Sequence, residues 1–203
     1  MSMSGYNRLF NKRVKNELKL IQKDPLENID IYPDEADIKI WYFLICGPDD
    51  SDYKNGWYIG KLILSENYPA TPVDFYMLTP NGRFEIEKKI CLTISSYHSG
   101  EWSAIWSIRT ILGAFLSIMT SDYDSGISHI KQSKEERKIL ANNSHNYNIK
   151  NLGLILTNFP RFVKHIDNTI IMKSSEEIKA EMPVSKKSNK KADVDMSMIK
   201  LTD

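Results

Sequence analysis

Two cysteines, Cys46 and Cys91, are the side chains of this 203-residue chain with the strongest nucleophilic chemistry. Cys46 ends an apolar run, IWYFLIC, and precedes a Gly-Pro turn, so packing accounts for it. Cys91 follows a polar stretch, NGRFEIEKK, and precedes the loop SSYHSGEW, which places it near a surface groove. Its thiol is therefore either a small buried side chain or a nucleophile, and composition alone does not separate these two interpretations.

A cysteine hydrolase would need a histidine base beside Cys91. The chain has four histidines, and their spacing singles out none of them: His98, His129, His145 and His165. No two Cys or His residues fall at the spacing of a zinc site, so the sequence predicts no metal and no cofactor.

The elements that must position Cys91 begin with an amphipathic helix, which Ser4 can cap. Four apolar residues recur in it at helical spacing: Phe10, Val14, Leu18 and Ile21. Its basic residues lie largely on the remaining surface: Arg8, Lys12, Arg13, Lys15 and Lys19. Such a face is either merely solvated or a docking site, and the helix alone leaves both interpretations open.

Four short segments rich in β-branched and aromatic residues follow the break at Asp24-Pro25. They are separated by Pro, Gly, Asp and Asn, which favour turns: NIDIYPD, ADIKIWYFLICG, GWYIGKLIL and VDFYMLTPNG. This pattern predicts an antiparallel meander of four strands.

The last part of the ordered chain has a helical pattern. The run from Trp106 to Met119 is mostly apolar and predicts a central helix packed on the sheet. Ser133 begins a polar helix in which Glu136 completes a capping box. More helix is expected between Leu152 and Ile166, with an interruption at Pro160. One helix, four strands, the cysteine segment and further helices together indicate an α+β fold in two layers.

Composition bounds the partners and the extent of the fold. Lys and Arg number 27 against 26 for Asp and Glu, so no excess charge draws the chain to nucleic acid or to an anionic membrane. No apolar run is long enough for a signal peptide or a membrane span. Residues 1–172 are expected to form one folded domain, and the polar residues 173–203 a flexible tail.

Three stretches together resemble the ubiquitin-conjugating enzymes, and most closely their J class, whose members are usually tail-anchored and associated with the endoplasmic reticulum. They are GPDDSDYKNGWYIGKLIL, YPATPVDFYMLTPNGRFEIEKKICLTISSYHSGEWSAIWSIRTILGAFLSIM and SGISHI. The resemblance covers about residues 5–170, and it includes the TPNGRF turn, ICL around the cysteine and the W…W pair in the right order. It implies the ubiquitin-conjugating-enzyme fold and an acyltransferase.

In that family the matched cysteine accepts ubiquitin from an activating enzyme as a thioester, so the resemblance implies that role for Cys91. A thioester is already activated, and its reaction needs chiefly positioning and a donor for the developing oxyanion. Asn81 is the matched donor, although its amide can equally hold its own loop through backbone hydrogen bonds. Thr79 stands where the common His-Pro-Asn motif has histidine, and the gap from Asn81 to Cys91 is slightly longer than usual.

The acceptor implied by the resemblance is a lysine amine or, as in some J-class members, a Ser or Thr hydroxyl. In many family members an acidic or Ser residue on the gate loop after the central helix assists the attack. The matching segment is TSDYDSGISHI, which offers four gate candidates among which the sequence does not select: Asp122, Asp124, Ser128 and His129.

The resemblance also implies four kinds of partner, namely ubiquitin, the activating enzyme, a ubiquitin ligase and protein substrates. The activating enzyme would dock on basic residues of the first helix: Arg8, Lys12, Arg13 and Lys15. The ligase would dock on YPATP and WSAIW, at Ala70, Ser103, Ala104 and Ile105. Ala70 replaces a common aromatic anchor and Ala104 a proline, so an ordinary ligase would lose much of its contact energy here.

The polar end of the chain departs from the J class, whose members usually finish in a membrane anchor. A cytoplasmic enzyme is expected, or one at the cytosolic face of the endoplasmic reticulum if the native chain is longer, which would fit ER-associated degradation. Two alternatives stay open. One is a conjugating-enzyme-like module that binds ubiquitin or a partner without chemistry, and the other is a conjugating enzyme for another ubiquitin-like modifier.

Overall fold

A four-stranded antiparallel sheet with the strand order β1-β2-β3-β4 forms one layer of the molecule. The computed structural model describes residues 8–92, 100, 102–121 and 126–167. The strands are β1 (Ile29–Pro33), β2 (Ile40–Cys46), β3 (Trp57–Ile63) and β4 (Asp74–Met77). Each lies within a predicted segment and pairs with the next strand, so the predicted meander is confirmed.

The first helix, α1 (Arg8–Lys23), covers the core with the predicted apolar face. Phe10 and Val14 are buried, and Leu18 and Ile21 are partly buried against the same core. Glu17 lies among these residues and is 0% exposed, which makes it a buried carboxylate on an otherwise apolar face. The predicted cap at Ser4 lies outside the described residues.

The central helix, α2 (Ile108–Thr120), packs on the sheet as predicted. It begins at Ile108 because Ser107 is its N-cap, and the Ser107 hydroxyl accepts a hydrogen bond from the backbone N–H of Thr110. The prediction placed the start at Trp106, which instead belongs to the preceding loop.

The ring of Phe115, in the middle of α2, joins three parts of the fold. It meets the edge of Phe43 in β2 at a centroid distance of 5.6 Å. It stacks on Phe75 in β4 at 5.1 Å and on Phe84, which follows the Pro-Asn-Gly turn, at 5.4 Å. The helix, the sheet and that turn therefore share one aromatic cluster.

The long helix α3 (Lys134–Leu156) begins at the predicted capping box, in which Ser133 and Glu136 bond reciprocally. Leu152 has non-helical backbone angles, so the helix kinks near its end. After a break at 157–159 the chain is helical again over residues 160–167, here called α4. Pro160 starts α4, at a position where its missing N–H leaves no bond unmade.

Backbone contacts divide the chain into two units, Met1–His165 and Ile166–Asp203. The first unit contains the sheet and helices α1, α2 and α3. Of the second unit only residues 166 and 167 are described, and both are helical. The predicted domain boundary at residue 172 and the predicted tail 173–203 lie outside the described residues, so both stay predictions.

Candidate active site

The turn that follows β4 is organised by the side chain of Asn81, which is 1% exposed. Its Nδ2 donates to the carbonyl oxygens of Thr79 at 2.9 Å and of Phe84 at 3.3 Å. Its Oδ1 accepts from the backbone N–H groups of Arg83 at 2.9 Å and of Phe84 at 2.8 Å. Both hydrogens of the amide are therefore committed to the turn, which favours the loop-organising role over the oxyanion role.

Gly82 continues this turn with a φ of 76°, in the left-handed region that favours glycine. A Cβ at this position would lie 2.8 Å from Oε1 of Gln132 and 2.9 Å from Cγ of Arg137. Both backbone conformation and space therefore require glycine between Asn81 and Arg83.

Thr79, two residues before Asn81, braces the turn through buried hydrogen bonds. Its side chain is buried, and Oγ1 accepts from the N–H of Ile59 at 2.9 Å. The same hydroxyl donates to Oδ1 of Asn148 in α3 at 2.6 Å. Nδ2 of Asn148 in turn donates to the carbonyl of Trp57 at 2.7 Å. Thr79 therefore ties the turn to both β3 and α3.

Sequence reasoning missed Asn148, together with Ser144, whose hydroxyl accepts from the N–H of Trp57 at 2.8 Å. Both are fully buried polar residues one helical turn apart on α3. A signal was available, because small polar residues repeat at i and i+4 in a helix that has no clear apolar stripe.

Between Asn81 and Cys91 the chain returns to β4. Ile86 forms a bridge with Met77 and Lys89 one with Tyr76. Glu87 adopts a positive φ of 58° and donates its N–H to the Met77 carbonyl at 2.8 Å. The extra length that the sequence shows in this gap is therefore taken up against the sheet.

Cys91 is partly exposed, and its backbone is bonded to the segment that follows α2. Its N–H donates to the carbonyl of Ile127 at 3.1 Å. Its carbonyl is 2.9 Å from Nε2 of His129. One residue earlier, the N–H of Ile90 donates to the Phe75 carbonyl at 3.0 Å, which fixes the approach to Cys91 on β4.

Two of the four gate candidates are described, and both lie against the cysteine segment. Ser128 donates its hydroxyl hydrogen to the carbonyl of Lys89 at 2.9 Å and has a φ of 67°. The His129 ring meets the Phe84 ring edge-to-face at 5.0 Å. Both side chains thus bond backbone carbonyls within residues 89–91. The other two candidates, Asp122 and Asp124, lie outside the described residues.

Cys46 differs from Cys91 in its surroundings. It ends β2 and is half-buried, with Nη1 of Arg161 at 3.9 Å from Sγ. Burial raises the pKa of the Cys46 thiol, and the nearby Arg161 cation opposes this only in part. The thiolate of Cys46 is therefore disfavoured, as expected of a packing residue.

The basic residues of α1 do not form one uniform surface. Arg8, Lys12 and Lys15 are exposed. Arg13 is bonded internally, and its Nε donates to Oε1 of Glu17 at 2.6 Å. Its Nη1 donates to the carbonyl of Ala104 at 3.0 Å, and its Nη2 donates to the carbonyl of Trp106 at 2.5 Å. The guanidinium of Arg13 thus holds the loop before α2.

Two of the four predicted ligase-docking positions line an open groove of about 430 Å³. Ala70 and Ala104 line it with Leu9, Phe10 and Tyr68. Ile105 is 88% exposed beside Ala104, and Leu9 is 70% exposed. Ser103 turns the loop, because its carbonyl accepts from the N–H of Trp106 at 3.0 Å. The small side chains of Ala70 and Ala104 therefore border open space, and their role in ligase docking stays a prediction.

Two other features are absent from the described ranges. No helix in them is long and apolar enough to cross a membrane. Nor do three or more His, Cys, Asp or Glu side chains meet there in a way that could hold a metal ion.

Comparisons with known proteins give one family. A family model described as ubiquitin-conjugating enzyme matches residues 13–151. "Ubiquitin-conjugating enzyme E2 J2-like" of Dictyostelium discoideum is 42% identical over 139 residues, which cover 68% of this chain and 81% of that protein. "Ubiquitin-conjugating enzyme E2 6" of Candida glabrata is 36% identical over 187 residues, which cover 89% of this chain and 76% of that protein. A crystal structure of a ubiquitin-conjugating enzyme E2 from Plasmodium falciparum has 27% sequence identity and a TM-score of 0.49, and the match covers 55% of this chain and 98% of that one.

Proposed function

The chain belongs to the ubiquitin-conjugating enzyme family, close to its J class, and we propose that Cys91 is the residue that carries ubiquitin as a thioester. One observation carries this proposal: Cys91 is partly exposed, and both polar groups of its backbone are bonded to the segment after α2. A partly exposed cysteine on a fixed backbone meets the positional needs of a nucleophile. Cys46 is also partly exposed, but burial raises the pKa of its thiol, so its thiolate is disfavoured.

Charging is a transthiolation. The thiolate Sγ of Cys91 attacks the C-terminal carbonyl of ubiquitin in its thioester with the activating enzyme. A new bond from sulfur to carbon forms, the old one breaks, and the activating enzyme leaves as a thiolate. In the second step an acceptor amine or hydroxyl attacks the Cys91 thioester, gives up its proton to solvent or a base, and releases the Cys91 thiolate.

Asn81 supports this reaction chiefly by fixing the turn that leads to Phe84. Its bond to the Phe84 carbonyl, at 3.3 Å, is the longer of the two that Nδ2 donates. An oxyanion in the transition state would have to replace one of them, and the longer bond is the weaker and hence the one to yield. The oxyanion role of Asn81 therefore needs a rearrangement of the turn and stays a prediction.

We also propose docking surfaces for the activating enzyme and for the ligase. Arg8, Lys12 and Lys15 are exposed cations that can meet an acidic face of the activating enzyme. The groove around Ala70 and Ala104 is the surface for a ligase, and its open volume can accept an apolar side chain of that partner. Ubiquitin and protein substrates complete the set of partners.

A charging assay tests the proposal directly. The chain is incubated with activating enzyme, ATP and ubiquitin, and a thiol-sensitive adduct is expected that persists in Cys46→Ala and vanishes in Cys91→Ala. The non-catalytic alternative predicts no adduct with any modifier, and a panel of ubiquitin-like proteins identifies the one transferred. Discharge to free lysine and to free serine then compares the two acceptor classes. The cytoplasmic and endoplasmic-reticulum assignments rest on the resemblance and stay predictions.

A further inference from the structure

The imidazole of His129 lies against the backbone of Cys91, with Nε2 at 2.9 Å from the Cys91 carbonyl oxygen. A carbonyl oxygen only accepts hydrogen bonds, so Nε2 must carry the hydrogen of this bond. Nδ1 is buried and has no hydrogen-bond partner within the described ranges. The ring thus presents a donor to the backbone of Cys91 and has no nitrogen lone pair directed at an incoming acceptor.

The orientation of the His129 ring comes from the core. Its face-to-edge contact with Phe84 has a centroid distance of 5.0 Å and an interplanar angle of 87°. Phe84 is itself held at its N–H and its carbonyl by Asn81, and its ring stacks on Phe115. A continuous series of contacts therefore links Asn81 to Cys91 through Phe84 and His129.

Cys91 is thereby bonded at both backbone polar groups by residues 127–129. Gly126 adds a close approach on the same side, because a Cβ at that position would lie 3.5 Å from Cβ of Cys91 and 3.4 Å from Nε2 of His129. These contacts together fix the orientation of the peptide groups on either side of Cys91.

We propose that His129 is a positioning residue, which fixes the Cys91 thiol for thioester transfer by donating a hydrogen bond from Nε2 to the Cys91 carbonyl. The proposal rests on the proposed function of Cys91. It assigns His129 no proton transfer, because its only directed N–H points at the protein backbone. Loss of this bond should therefore slow every attack on the thioester by a similar factor, whatever the acceptor.

Two substitutions separate the hydrogen bond from the packing. His129→Phe keeps an aromatic ring against Phe84 but removes the donor. His129→Gln supplies an amide N–H of comparable reach without an imidazole. Both variants are compared with the wild-type protein after charging with ubiquitin, and thermal unfolding confirms that they are folded.

The kinetic readout is the discharge rate of the charged enzyme to free lysine and to hydroxylamine, an amine that is already neutral at pH 7.5. His129→Phe should slow both reactions about tenfold, as expected when a reacting group loses one fixing hydrogen bond. His129→Gln should restore both rates to within about threefold of wild type. In the charging reaction, His129→Phe should lower kcat and His129→Gln should restore it, with KM for the activating enzyme unchanged in both variants.

A second readout does not depend on activity. Cys91-Leu92 is the only Cys-Leu pair in the chain, so selective labelling with carbonyl-¹³C cysteine and ¹⁵N leucine gives one NMR signal for the Cys91 carbonyl. That carbonyl shift should change in His129→Phe and return towards the wild-type value in His129→Gln. This measurement holds even if the variants lose all activity.

Three results would overturn the proposal: a folded His129→Phe that discharges at the wild-type rate, a carbonyl shift that does not respond, or slowing confined to lysine. The last would indicate proton transfer by His129. Failure of the proposed function looks different, because the wild-type protein would then form no adduct at all.

Discussion

The hydroxyl of Thr79 donates a 2.6 Å hydrogen bond to Oδ1 of Asn148, which joins the residue before the Pro-Asn turn to the third helix. The two residues are 69 positions apart and both are 0% exposed. The same hydroxyl accepts from the N–H of Ile59, so one side chain satisfies two buried groups.

Thr79→Val should therefore destabilise the protein. The isosteric change leaves the Ile59 N–H without its acceptor and Asn148 Oδ1 without its donor, at a cost of about 2–4 kcal/mol. Thr79→Ser keeps the hydroxyl and should stay within about 1 kcal/mol of wild type. Urea unfolding followed by tryptophan fluorescence gives both values, and equal stability of the Val and Ser variants would contradict the assignment.

Glu17 should be among the most sensitive positions outside the active site. Its buried carboxylate accepts from Nε of Arg13, from the hydroxyl of Tyr68 at 2.9 Å and from the N–H of Ile108 at 2.8 Å. Glu17→Ala strands all three donors and should cost about 3–5 kcal/mol in the free energy of unfolding. Glu135→Ala, an exposed carboxylate on α3, is the matched control and should change stability by less than about 0.5 kcal/mol.

Lys12 and Arg13 are neighbours with opposite expected phenotypes. Lys12→Ala removes an exposed cation and should raise KM for the activating enzyme several-fold with stability unchanged. Arg13→Ala removes the donors to Ala104 and Trp106, and should lower stability by about 1–3 kcal/mol. Charging kinetics give KM for the activating enzyme in each variant, and unfolding curves give the stability of each. Identical changes in both would show that Arg13 belongs to the docking surface after all.

Asn81→Ala should reduce stability and both transfer steps together. It removes the acceptor of two buried N–H groups, those of Arg83 and Phe84, at a cost of about 2–4 kcal/mol. Asn81→Asp keeps that acceptor and should be intermediate in stability. A variant that is as stable as wild type yet fails in discharge would instead assign Asn81 to the oxyanion.

The two cysteines should differ in their rates of alkylation. Burial raises the pKa of the Cys46 thiol, so little of it is thiolate at pH 8, and its reaction with iodoacetamide should be slow. Cys91 should be modified first, as quantified by mass spectrometry of the peptides that contain each cysteine. Faster labelling of Cys46 in the folded protein would contradict the surroundings assigned to it.

The elements of the fold were predictable because each has a local signal. The alternation of strand segments with turn residues located all four strands, and the pair Ser133 and Glu136 located the start of α3. The start of α2 was placed too early because Trp106 is apolar enough to continue the helical pattern, and only the cap at Ser107 excludes it.

The contacts of the site were not predictable in the same way. Arg13 reaches a carbonyl 93 residues away, and Asn148 one 91 residues away. Such bonds depend on how whole elements pack, and no periodicity of the chain encodes them. From the sequence alone, Arg13 is therefore indistinguishable from the exposed cation Lys12, and His129 is indistinguishable from a catalytic base.

Residues 86–90 return to β4, so the number of residues between Asn81 and Cys91 does not determine how far apart the two lie in space. The sheet holds this excursion at Met77, Tyr76 and Phe75, so strand pairing, rather than the number of intervening residues, sets the position of the Cys91 backbone. A residue inserted between these contacts is accordingly expected to enlarge the excursion and to leave the Cys91 backbone beside β4.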